Sequence, residues 1–252
     1  MKGTSSGYLL DIAARFLPYR GMIGAEQQAQ IQDDQLITRE YLDYIENKEF
    51  PCVAAKAAAA KQQVHCMVAT HMACPKDDQE ILQFIYSFVD EYRQSGELYH
   101  SAAIIFQQPT YLKEAYFEEL FWQRLQSISD MDARNFGYDK RVDIDPSSPN
   151  FSFSLKQEAF FIIGLHPESS RVTRQFKYPT LVFNPHLQFE QLRETSKYSN
   201  LKHVVRKRDV AYSGSINPML TDFGDASEVF QYSGVSYNSE WKCPLKIRHE
   251  QS

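Results

Sequence analysis

Apolar and polar positions recur along this chain in two different periods. Across residues 77–95, Ile81, Leu82, Ile85, Phe88, Val89 and Tyr92 fall at three- and four-residue steps, the stripe of an amphipathic helix, and Gly96 follows as a stop signal. Asp77 and Glu80 stand at capping-box spacing at its start. The same period returns over residues 113–129 in Tyr116, Phe117, Leu120, Phe121, Leu125 and Ile128, a stripe that belongs to a core. Residues 64–70 and 102–106 are short apolar runs of the kind that form buried strands. Residues 151–155 and 159–165 flank polar Lys156 and Gln157 and predict a β-hairpin. A further strand is predicted over residues 180–184, with helices over 38–48, 188–196 and 201–212.

The rest reads as connection. Residues 1 to about 35 carry Gly3, Gly7, Gly21 and Gly24 and then the polar run AEQQAQIQDDQ, and are expected to be a weakly ordered extension. Residues 130–150, with Pro146, Pro149 and several Asp, predict a long surface connection, and the tail from Gly214 is loop-rich. Helices alternating with strands and no internal repeat imply one α+β or α/β domain over residues 36–252, with a mixed central sheet and flanking helices.

Composition narrows the function classes. The 252 residues carry 27 Lys and Arg against 32 Asp and Glu, a net charge of −5 that argues against a general nucleic-acid binder. Lys202, His203, Arg206, Lys207 and Arg208 form a local basic face, either a solvated surface or a dock for an acidic redox partner. Cys52, Cys66, Cys74 and Cys243 show no paired spacing, so neither a disulfide framework nor a structural zinc site is expected. The apolar run near the N-terminus is interrupted by Asp11 and Arg15, which leaves neither a signal-peptide core nor a membrane span and predicts a cytoplasmic protein. Seventeen Phe and fifteen Tyr suffice for a core and for lining a pocket around a large planar ligand.

Candidate chemistry concentrates where two strands end in histidines, at His166-Pro167 and Pro185-His186. A helical crossover between the strands would bring both imidazoles to one sheet edge; a hairpin pairing would put them at opposite ends. Neutral imidazole is a common metal and haem ligand, and Glu190, one turn beyond His186, can orient its ring. Arg171 and Arg174 are spaced to share a helical face and offer forked donors to carboxylates or phosphates, haem propionates among them; the alternative is a pair of surface arginines. Cys52 precedes the run VAAKAAAA, where a helix N-terminus would depress its pKa and make a thiolate ligand; alternatively it is a buried apolar cysteine. Asp222, Asp225 and Glu228 in the segment from Ser215 to Gly234 can bind a guanidinium or cap helices. No P-loop, GxGxxG or GxSxG occurs, which weighs against nucleotide-dependent and esterase chemistry.

The stretches FPCVAAKAA from Phe50, ELFWQRL from Glu119, GLHPESSRVTRQF from Gly164, PTLVFNPHLQFEQLR from Pro179, SINPMLTDFGDASEVFQYSG from Ser215 and WKCP from Trp241 resemble the YqcI/YcgG family. Within it they resemble the haem-dependent N-hydroxylases of small natural-product pathways, those of D-cycloserine and guanitoxin synthesis. The resemblance covers most of the chain from Phe50 to Pro244 and puts Cys52, His166, Arg171, Arg174, His186, Glu190 and Asp222 on motif positions. Two positions depart from the pattern: Phe230 stands where an arginine is usual, and Val235 where a basic residue is common.

The resemblance implies a b-type haem protein that uses O2 and electrons from an external reductase or ferredoxin to N-hydroxylate arginine or a related guanidine compound. His166 or His186 is the expected axial ligand, with Cys52 as the alternative; the unused histidine would be the distal donor. Arg171 and Arg174 would anchor the propionates, and Asp222, Glu228 and Glu190 would meet the substrate. Two other classes stay open: a non-catalytic haem or small-ligand carrier or sensor, and a metal-independent enzyme with a histidine general base.

Overall fold

The computed structural model describes residues 25–194, 197–213 and 223–250. Its elements in chain order are α1 (Ala25–Glu46), α2 (Val53–Ala60), β1 (Val64–His71), α3 (Asp78–Ser95), β2 (Ser101–Gln108), α4 (Glu114–Asp132), β3 (Phe153–Leu155), β4 (Glu158–Leu165), β5 (Thr180–Pro185), α5 (His186–Glu194), α6 (Lys197–Ser213) and the single turn α7 (Val229–Tyr232). The five strands form one mixed sheet in the order β1-β2-β5-β4-β3. β1 and β2 are parallel, joined through α3, whereas β2–β5, β5–β4 and β4–β3 are antiparallel. The expected single α+β domain with flanking helices is what forms. No helix of the described residues is long and apolar enough to cross a membrane.

The sheet is buried on both faces, which explains why β2 reads as an unbroken apolar run rather than an alternation. On one face Ala102, Ile104 and Phe106 of β2, Phe160 and Ile162 of β4, and Leu181 and Phe183 of β5 pack under α3 and α4. On the other, Ala103, Ile105, Val182 and Leu165 meet Ile37, Tyr41 and Ile45 of α1. Gly164 lets α4 approach β4 closely, since a Cβ there would stand 3.0 Å from both the Phe117 and the Phe121 rings. The β3–β4 turn is made by Lys156 and Gln157 at φ 52 and 56, the left-handed pair that a two-residue hairpin demands.

Several sequence expectations need correction. The polar run AEQQAQIQDDQ is no extension but the first half of α1, because Ala, Glu and Gln favour helix strongly enough to continue it without an apolar stripe; residues 1–24 lie outside the described residues. Asp77 makes no capping box: its carboxylate instead accepts the Thr70 N–H at 2.6 Å and the Thr70 hydroxyl at 2.7 Å, tying the end of β1 to the start of α3. Gly96 does end α3, in the left-handed conformation at φ 63. The 130–150 connection is not simply surface, for Tyr138 and Asp139 are buried in it.

A buried ion pair joins α3 to α4. Arg124 donates to Asp78 and to the Met72 carbonyl, and Ser127 also donates to Asp78. Both charged side chains are almost wholly enclosed, at 4% and 2% exposure, so removing one strands the other. Arg124→Ala is therefore expected to lower stability by about 3–5 kcal/mol, read as a fall in the urea midpoint; an unchanged midpoint would refute this account of the pair.

Candidate functional site

The chain leaves β4 and returns antiparallel as β5, with register running from Leu165 opposite Thr180 to Phe160 opposite Pro185. The intervening segment holds only the short turn Val172–Arg174 and no crossover helix. His166 follows the last residue of β4 and His186 the last of β5, so they stand at opposite ends of the strand pair, roughly 20 Å apart at ~3.4 Å per residue. The shared-edge alternative is thus overturned. So is the placing of one histidine as axial ligand and the other as distal donor on the same iron.

At the first end, His166 is fully buried and stacks on Phe117 of α4, with ring centroids 4.2 Å apart. Neither ring nitrogen has a hydrogen-bond partner, and the nearest charge is Glu114 at 3.9 Å from Nε2. Burial pushes its pKa down to about 4 against the pull of Glu114, with Arg174 adding to the depression. Glu114 instead accepts from the Ser170 N–H at 2.8 Å and its hydroxyl at 2.9 Å, pinning the loop after β4 onto the start of α4. Arg171 pairs with Asp209 of α6 at 2.8 Å. Arg174 turns inward to the carbonyls of Gly164, Gln231 and Tyr232. The two arginines therefore do not form a joint anion fork: sequence spacing suggested a shared helical face, but the turn sends them to different partners.

At the second end, His186 opens α5 and is also buried. Its Nδ1 lies 3.4 Å from Glu228 and its Nε2 3.5 Å from Glu190. Both approaches fall short of hydrogen-bond geometry, so both nitrogens are unpartnered. The Phe223 ring covers the imidazole edge-on at 4.3 Å. Glu228 is itself buried and held by the Ser152 hydroxyl at 3.0 Å and the Tyr232 hydroxyl at 3.3 Å. Ser152 and Tyr232 were not singled out from the sequence, although the four-residue step from Glu228 to Tyr232 is the spacing that puts both on one helical face.

Cys52 caps α2, its sulfur accepting from the Ala55 N–H at 3.4 Å. Its pKa is raised, not depressed, because burial against the second core outweighs the helix terminus. A ready thiolate is thus not what the fold provides. Asp222 lies outside the described residues. Of the basic face, His203, Lys207 and Arg208 are exposed on α6, and Lys56 has a lowered pKa through burial and the nearby charge of Arg208.

A haem of the kind the resemblance implies fits one end better than the other. An enclosed imidazole with unpartnered nitrogens and a carboxylate beside Nδ1 is the donor set of an oriented histidine ligand, and His186 has it. Arg171 and Arg174 do not fit a propionate clamp for that ligand, since their guanidiniums are engaged by Asp209 and by backbone carbonyls near the other end. Among the described residues no three His, Cys, Asp or Glu side chains converge as a metal-ion group.

The sequence matches the model of the YqcI/YcgG family over residues 41–246. Two similar curated proteins, both from Bacillus subtilis (strain 168), are uncharacterized. YqcI is 29% identical over 204 residues, covering 78% of this chain and 75% of that protein. YcgG is 26% identical over 200 residues, covering 77% and 74%. No solved structure matches.

The depressed His166 pKa makes a testable contribution to acid stability. The ring binds a proton at its usual 6.5 in the unfolded chain but only near 4 in the fold. Its neutral form thus stabilises the fold fully above about pH 6.5, and that contribution is lost as pH falls towards 4. The His166 ring resonances should keep neutral-imidazole shifts down to about pH 4, and the urea midpoint of His166→Phe should fall less than the wild-type midpoint between pH 6.5 and 4. Ring titration near 6.5 would contradict this.

Proposed function

The chain belongs to the YqcI/YcgG family, and on that premise we propose that it is a haem-dependent N-hydroxylase of arginine or a related guanidine compound, in which His186 is the residue that would hold the iron. The observation that carries the reading is the enclosed, unpartnered imidazole of His186 set against a buried carboxylate. The chemistry supplied by the bound haem is O2 activation with electrons from an external reductase or ferredoxin.

The residues of the chain supply orientation and proton placement. Glu228, fixed by Ser152 and Tyr232 at 3.4 Å from Nδ1, would draw the ring proton to that side once Glu190, 3.5 Å from Nε2, turns to substrate, leaving Nε2 to hold the iron. Phe223 and the burial of His186 exclude water from that nitrogen. Glu190 is only partly buried, has no other partner among the described residues, and can turn to a substrate guanidinium as a bidentate acceptor. His166 serves the packing of β4 on α4.

The carrier or sensor reading is kept by one observation. Phe230, at the position where an arginine is usual in the family, packs on Trp241 at 5.3 Å and Tyr237 at 6.3 Å, so the side chain there extends an aromatic cluster and offers no charge.

Protein produced with a haem precursor should show a Soret band and about one haem per chain, as one axial site implies. His186→Ala should lose most of the haem, whereas His166→Ala and Cys52→Ala should retain it. With a reductase and O2, arginine or a cyclic guanidine should gain one oxygen by mass. Haem bound without product would favour the carrier; a colourless protein that fails to take up hemin would refute both.

A further inference from the structure

A cleft of about 370 Å³ opens beside α5, lined in part by Leu187 and Gln191. These two stand one turn apart, next round the helix from His186 and Glu190. Its other walls include Arg93, Glu97, Arg141 and Glu158. The two guanidiniums clasp the same buried carboxylate: Arg93 Nε donates to Glu158 at 3.1 Å and Arg141 Nη2 at 2.8 Å. Arg93 Nη2 also donates to the carbonyls of Lys156 and Gln157, and Arg141 Nε to Asp139 at 2.9 Å. These bonds use the Nε and Nη2 donors, and the Nη1 group of each arginine donates to nothing among the described residues.

Charge is layered in depth here. Asp139 and Glu158 are 3% exposed, while Arg93 and Arg141 are 42% and 39% exposed, so although Glu158 also lines the cleft, a molecule there meets mainly the two guanidiniums. The guanidiniums are held in place before any ligand arrives, which removes ordering cost from anion binding. Glu97 lines the same cleft with its carboxylate largely in solvent, paired at 2.9 Å with exposed Lys61 and close to Gln63. Surface pairs of that kind are worth little and exchange readily. A fixed cationic wall and an exchangeable acid in one cleft match a zwitterion.

We propose that this cleft binds a free amino acid, its carboxylate on the Nη1 groups of Arg93 and Arg141 and its ammonium on Glu97. The binding stands on this geometry alone; only the extension of the bound side chain along α5 towards His186 rests on the proposed function.

The test is titration calorimetry on the full chain prepared without haem, with L-arginine and with agmatine, which keeps the guanidinium but lacks the carboxylate. L-arginine should bind, and agmatine should bind at least about tenfold more weakly, the loss of a charge-assisted anchor. Gln191→Trp fills the cleft from an exposed helical position, away from the ion pairs. It should weaken L-arginine about tenfold at unchanged urea midpoint, and Gln191→Ala should not. Equal binding of the two ligands, no binding of L-arginine, or indifference to Gln191→Trp would overturn the proposal. Haem content plays no part in this readout, so its outcome is separate from that of the Soret measurement.

Discussion

The geometry around His186 depends on one buried cation, Arg174. Its guanidinium donates to the Tyr232 carbonyl at 2.7 Å and also to those of Gln231 and Gly164, so a single side chain joins β4 to α7. A helix of four residues has no stability of its own, and its carbonyls must be satisfied from outside. Arg174 does this with a charge of the favourable sign for a helix C-terminus. Burial lowers its pKa to about 10, which still leaves it charged at neutral pH. Gly234 makes the passage possible: it has φ 92, and a Cβ there would come within 2.8 Å of Arg174 Cδ. With α7 fixed, Glu228 at its start and Tyr232 at its end fall beside Ser152 and His186.

This arrangement has a cost that the fold bears elsewhere. Each buried imidazole nitrogen without a partner forgoes about 1–3 kcal/mol of hydrogen bonding, and His166 and His186 leave four such atoms between them. The compensation comes from a sheet covered on both faces and from ion pairs whose members are enclosed together, Arg124 with Asp78 among them. The two histidines differ in what surrounds them. His166 has a phenyl face and a carboxylate already committed to Ser170, an environment for a neutral ring held by packing. His186 has two carboxylates within 3.5 Å, one fixed and one partly exposed, and so retains a polar neighbour for each nitrogen.

Much of the fold was legible in the sequence because periodicity survives where one face is buried. The stripes over α3 and α4 and the strand runs came through nearly to their ends. What failed had nonlocal causes. The capping box lost because Thr70, distant in the helix-start pattern, competes for Asp77. The shared histidine edge lost because the segment after β4 forms one tight turn and lets β5 pair directly with β4. Arg171 and Arg174 looked like one anion site from their spacing, but side-chain direction is decided by α6 and α7, which are far along the chain. Cys52 is at the helix terminus its sequence predicts, yet burial sets its pKa, and burial is not written in the local sequence.

The candidate chemistry is distributed along β4 by the shortness of its outer neighbour, β3. β3 spans only Phe153–Leu155, so beyond Phe160 the outer edge of β4 has no strand partner. An unpaired edge must be covered, and here α7 with Arg174 and the Tyr232 ring cover it. At the other end of β4 the hairpin turn leaves its carbonyls to Arg93, which draws a guanidinium to the Glu158 carboxylate. Arg141 joins from the connection after α4 because Asp139, two residues earlier, anchors its Nε. α5 begins where β5 ends, opposite Phe160, and so His186 and the arginine-lined cleft become neighbours along one helix. A short third strand thus has two consequences: an edge that must be capped by a helix carrying Glu228, and a turn that must be neutralised by the arginines of the cleft.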